Sequence, residues 1–112
     1  MPDLSVASPL GTITISRDVV AEIVAETSAR CYGVVGLSSA SRVGRMLRRE
    51  GVNVGGGPTG IRIELHVVVE YGLNLAEVAA SVRSQVSYEV ERQTGLPVAA
   101  VEVVIQDVRQ TA

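Results

Sequence analysis

The chain contains no lysine, no phenylalanine and no tryptophan. Without Lys there is no side-chain amine for Schiff-base chemistry, and all ten cationic side chains are Arg. Without Phe or Trp the core has to be aliphatic, and the usual aromatic platforms for stacking single-stranded bases are missing. A lone cysteine, Cys31, excludes an intramolecular disulfide and suits a reducing compartment. The net charge of −2 argues against bulk electrostatic attraction to nucleic acid. Neither a signal peptide nor an apolar run near the ~20 residues of a membrane helix is present. What remains is 112 residues, 46% of them hydrophobic, enough for one domain with a real core.

The most informative stretch is 61–95. Ile61, Ile63, Leu65, Val67 and Val69 alternate with Arg62, Glu64, His66 and Glu70. This period of two predicts a strand buried on one face only. Gly72 breaks it. Asn74 suits a helix N-cap, with Glu77 three residues on as in a capping box. A long helix should follow, with Leu75, Val78, Ala79, Val82, Val86 and Val90 on its apolar stripe. Gly95 can take the left-handed terminating conformation, and Pro97 forbids continuation.

Around this unit the rest of the chain falls into place. Residues 1–10 read as a flexible leader, 11–108 as a single domain and 109–112 as a tail. Residues 11–16 alternate as a short strand, with Ile13 and Ile15 inward. Ser16 is a candidate N-cap for a first helix, with Asp18 near its positive end. Val19, Val20, Ile23, Val24 and Thr27 form its expected buried stripe, and Gly33 ends it. Val34 to Leu37 suggests a second strand and Gly51 to Val54 a third. The glycine-rich run 55–60 is a turn signal. Residues 98–108 supply the last strand, with Val101, Val103 and Ile105 inward and Glu102, Val104 and Gln106 outward. The expected fold class is α/β (α+β), a two-layer sandwich: a mixed β-sheet with two main helices on one face.

No catalytic set emerges. The glycine run lacks the Lys and Ser/Thr of a phosphate loop and is not followed by a helix. Cys31 and His66 could form a thiolate–imidazole pair only if the fold brought them together, which nothing in their spacing requires. One His and one Cys among scattered carboxylates make no ligand cluster, so no metal and no cofactor is expected. Glu64, Glu70 and Glu102 could share a sheet face, without a cleft for acid–base work. The best surface candidate is basic. Arg42, Arg45, Arg48 and Arg49 fall on one arc of a short helix, opposite Val43, Met46 and Leu47. Such an arc can meet an acidic protein, anionic lipid or nucleic acid, or remain a solvated face. Val68 and Val104, β-branched residues on the otherwise polar sheet face, are candidates for self-association. Replacing both by Glu is expected to leave the fold intact.

Several segments in order resemble the alkaline shock protein family, also called envelope stress response proteins, of Gram-positive bacteria. They are residues 11–16 before a Val/Ile/Ala-rich helix, Gly33-Val34 after it, Val67-Val68-Val69-Glu70-Tyr71-Gly72-Leu73-Asn74, Glu77-Val78-Ala79, Thr94-Gly95-Leu96-Pro97-Val98, and Val101-Glu102-Val103. Tyr32 stands where the family often has Pro, and the charged terminal extensions common in the family are almost wholly lacking. The resemblance implies a small non-catalytic α/β domain, cytoplasmic and held at the inner face of the cell membrane by a membrane-anchor protein. On that basis the chain is expected to be a scaffold or adaptor in envelope stress response and homeostasis. It would self-associate as a homo-oligomer and take no small-molecule substrate. The alternative is a small nucleic-acid-binding module built on the Arg42–Arg49 segment, which the acidic balance and missing aromatics disfavour.

Overall fold

The computed structural model describes residues 4–8, 11–37, 51–57 and 59–110. In chain order the elements are β1 (Leu4–Ser8), β2 (Gly11–Ile15), α1 (Arg17–Ala29), β3 (Val34–Leu37), β4 (Val52–Gly57), β5 (Gly60–Glu70), α2 (Leu75–Thr94) and β6 (Val98–Arg109). Strands and helices share one core, giving an α+β fold.

The two helices start and stop where side chains satisfy their ends. The Ser16 hydroxyl accepts from the Asp18 amide at 3.1 Å, and the Asn74 side chain accepts from the Glu77 amide at 3.0 Å. Both sites answer the orphan donors of a first turn. Gly95 closes α2 at φ 74°, and its amide reaches the Glu91 carbonyl at 2.9 Å. A side chain would resist that left-handed backbone. Leu96 then turns back into the core, 1% exposed.

Strand β5 is the centre of the main sheet. Its first half pairs antiparallel with β4 and its last residues with β3, so two short strands share one side. Along the whole other side runs β6, parallel to β5. The β5–α2–β6 crossover supplies the length that parallel pairing requires. Gly57 pairs with Gly60 in the β4–β5 register, so the first three glycines of the glycine-rich run belong to β4 itself and the last opens β5. Helices α1 and α2 pack on each other, α1 against β3 and β4 and α2 against β6. Between them and the sheet, Val20, Val24, Leu65, Val67, Val69, Val82, Val86 and Val90 are fully buried. Each such aliphatic side chain contributes about 1.5–3 kcal/mol relative to exposure.

Several expectations are corrected. The leader expected over 1–10 includes β1, which pairs antiparallel with β2. Leu4 at its start is 2% exposed and sits against Gly56, filling core space that the glycine leaves open. Ile13 is exposed, because β2 pairs with β1 and only its last residue, Ile15, reaches the core. Val19 and Leu75 are likewise exposed, each in the first turn of its helix. Arg17, at the start of α1, is half-buried, and its guanidinium donates to the Val54 carbonyl at 2.5 Å. The largest correction concerns β5. It is buried on both faces over its second half, with His66 at 6% and Val68 at 4% exposure.

Candidate interaction surfaces

The polar face of the sheet is built by registration. Arg62 pairs with Ala100, Glu64 with Glu102, His66 with Val104 and Glu70 with Arg109 across β5 and β6. On the other side of β5, Asn53 faces Glu64 and Gly55 faces Arg62. Gly55 and Ala100 are small, so a shallow open depression of about 390 Å³ lies over Arg62 and the two facing glutamates. Glu64 and Glu102 are therefore neighbours, whereas Glu70 lies at the far end of the strand beside Arg109. The three acids do not converge on one point.

His66 is a structural clasp. Its Nδ1 lies 2.8 Å from Gln106 Oε1 and its Nε2 lies 2.9 Å from Glu64 Oε2. Gln106 stands where β6 slips by one residue between the partners of Val67 and Val68. An extra residue of this kind re-aims side chains, here toward the ring of the central strand. Cys31 is occupied elsewhere: its Sγ donates to the Thr27 carbonyl at 3.3 Å. Burial pushes its thiol above the ordinary range, against a smaller opposing effect of Arg30. A buried, protonated thiol is a poor nucleophile. Its hydrogen bond and those of His66 share no partner, so the Cys–His pairing does not form. Among the described residues no group of three or more His, Cys, Asp or Glu side chains could hold a metal ion.

The candidate self-association residues separate. Val104 is half-buried on the polar face, but Val68 is buried and offers no exposed contact. The candidate partner residues Arg42, Arg45, Arg48 and Arg49 lie outside the described residues.

Two surfaces escape sequence reasoning. An apolar depression of about 480 Å³ is lined by Ile15, Val19 and Ile23, with Asp18 and Glu22 at its rim. A second, of about 680 Å³, runs between Arg83, Ser87, Tyr88 and Glu91 of α2 and the beginning of β6. Beside it β6 has no strand partner on its outer side among the described residues. The only hint in the sequence was the Val-rich composition of 98–108, since strand order is not encoded in any local pattern.

Fold and surfaces together define a small α+β domain. Comparison with known proteins places it more closely. Residues 5–110 match the model of the alkaline shock protein 23 family, described by a cell envelope-related function, and the chain belongs to that family. It is 35% identical over 109 residues to the uncharacterized protein YloU of Bacillus subtilis, covering 90% of this chain and 91% of that one. It is 32% identical over 107 residues to the uncharacterized protein Spy1614 of Streptococcus pyogenes, covering 88% of each. Among solved structures, a doubly substituted MamM CTD superposes with a TM-score of 0.58 at 13% identity, covering 86% of this chain and 84% of that one. A singly substituted MamM gives 0.56 at 13% identity, covering 84% of each. At such identity the likeness to MamM concerns the fold alone. Among the described residues no helix is long and apolar enough to cross a membrane.

Proposed function

We propose that the chain is a non-catalytic scaffold or adaptor in cell-envelope homeostasis and stress response. In this reading it self-associates and binds a membrane-anchored partner at the inner face of the cell membrane. The observation that carries the reading is a family of cell envelope-related function realised on a domain whose single His and single Cys are held in structural hydrogen bonds. His66 and Cys31, the most reactive side chain types present, are both buried and held in structural hydrogen bonds. Recruitment to the membrane then depends on a partner, with Arg42, Arg45, Arg48 and Arg49 as its candidate contacts. A tagged chain used as bait in membrane and soluble fractions of the native host tests this. Retention of an integral membrane protein that is lost on replacing Arg45, Arg48 and Arg49 by Gln is expected; recovery of soluble proteins alone would remove the anchor from the reading.

The basic segment also supports the alternative of a nucleic-acid-binding module. If four arginines each neutralised a phosphate, duplex affinity would fall with salt at a log–log slope near about −3.6. We expect no binding tighter than roughly 10⁻⁴ M at physiological salt, the weak non-specific range. Submicromolar binding abolished by Arg48→Gln and Arg49→Gln would replace the scaffold reading with this one.

A further inference from the structure

Strand β6 is twelve residues long and is paired on one side only among the described residues. Its backbone can be assigned group by group. The Ile61 amide donates to the Pro97 carbonyl at 2.9 Å, so Ile61 aims its backbone at β6. The His66 amide donates at 2.8 Å to the Gly51 carbonyl on the opposite side, so Ile63, Leu65 and Val67 also aim at β6. In a parallel ladder each of these bonds the residues flanking its Cα partner. Their partners are Val101, Val103 and Ile105. Ala100, Glu102, Val104 and Gln106 therefore carry the bonds to β5. The N–H and C=O groups of Val101, Val103 and Ile105 point outward, away from the sheet.

We infer that this edge pairs with the same edge of a second copy, antiparallel about a twofold axis through Val103. The inference rests on the self-association reading and gives it a surface. Three observations select the occupant and the register. First, the regular part of β6 lies between two slips in register, one between Val98 and Ala100 and one between Ile105 and Asp107. A twofold at Val103 pairs residues 101–105 with themselves and leaves both slips outside that run. A shift by two residues either way would bring a slip into the ladder. Second, the outward set is self-complementary. Val103 faces Val103, and Val101 faces Ile105 in both directions, so all three exchange hydrogen bonds as antiparallel pairs do. Their side chains are half-buried, and the partner's would cover what each leaves open. Third, charge permits it: Glu102, the sole charged residue between Ala100 and Ile105, faces Val104 of the other copy rather than another carboxylate. The devices that usually guard an edge, such as lysine or proline, are missing from this stretch. The opposite side of the sheet is divided between β3 and β4, of four and six residues, and provides no comparable run.

The experiment is sedimentation equilibrium of the full chain and of variants at Val103. Wild type should sediment at twice the 11.8 kDa of one chain. Val103→Pro removes an amide that β5 does not use, so it should give a folded monomer at concentrations where wild type is dimeric. Val103→Lys and Val103→Asp place like charges across the axis and should each be monomeric; mixed in equal amounts they should form a heterodimer. Glu102→Cys mixed with Val104→Cys should cross-link under oxidation faster than either alone. A monomeric wild type at millimolar concentration, or a dimer that folded Val103→Pro and Val103→Lys leave intact, overturns the inference. Neither result touches the anchor pull-down, so the adaptor reading stands or falls separately.

Discussion

Gly60 makes the sharpest single-residue test of how β6 is attached to the sheet. It opens β5 at φ 133°, a conformation that side chains rarely adopt. A Cβ built on it would collide with the Pro97 carbonyl oxygen, and would lie 3.0 Å from that carbonyl carbon and 3.3 Å from the Ala99 amide. Every atom it meets is backbone, which cannot rotate aside. The same Pro97 carbonyl accepts the Ile61 amide, the bond that seats the start of β6. Gly60→Ala thus strains the backbone, at about 1–3 kcal/mol, and displaces that bond, worth about 1 kcal/mol. The expected loss is roughly 2–4 kcal/mol. At about 4–8 °C per kcal/mol for a domain near this size, melting should fall by more than about 8 °C. Gly55→Ala is the control: no atom lies within 4 Å of its Cβ and its φ is ordinary. It should be neutral or add up to about 1 kcal/mol by restricting the unfolded chain. Urea denaturation followed by circular dichroism reads both. If Gly60→Ala stays within about 0.5 kcal/mol of wild type, the size of an ordinary surface change, the close packing of the two strand starts is wrong.

Further outcomes follow from the same geometry. Asn74→Ala should cost about 1 kcal/mol and speed amide exchange in the first turn of α2, because the Glu77 amide loses its acceptor. Val68→Glu should cost at least about 2 kcal/mol by burying an unpaired polar group, against about 0.5 kcal/mol for the half-buried Val104→Glu; equal urea midpoints would contradict the burial of Val68. Burial raises the Cys31 pKa above its ordinary 9.0, so the unfolded thiol ionises first as pH rises. Its contribution is full below pH 9.0 and is lost as pH climbs through the folded pKa, so wild-type stability should fall above that pH more steeply than that of Cys31→Ala. Parallel slopes in alkaline urea melts would show that the thiol is not buried.

What the sequence determined by itself is whatever depends on near neighbours. The alternation through Ile61–Val69 produced β5, because a strand's two faces are written in successive residues. Ser16, Asn74 and Gly95 set the helix ends through contacts no more than four residues away. The family likeness was legible for a related reason: it lies in the order of such local signals, and the match over residues 5–110 spans them. The tertiary structure alone decided what each face meets. His66 and Val68 sit on the face that reads as polar, yet a central strand is shielded by the strands beside it, here through Gln106 of β6, forty residues away. Leu4 looked like part of a leader because five residues contain too few turns of any pattern, and its role became visible only against Gly56. The edge that β6 presents among the described residues is the extreme case. Val101, Val103 and Ile105 would read the same in the middle of a sheet, because an edge is the absence of a neighbour, and strand order is settled only when the whole chain has packed.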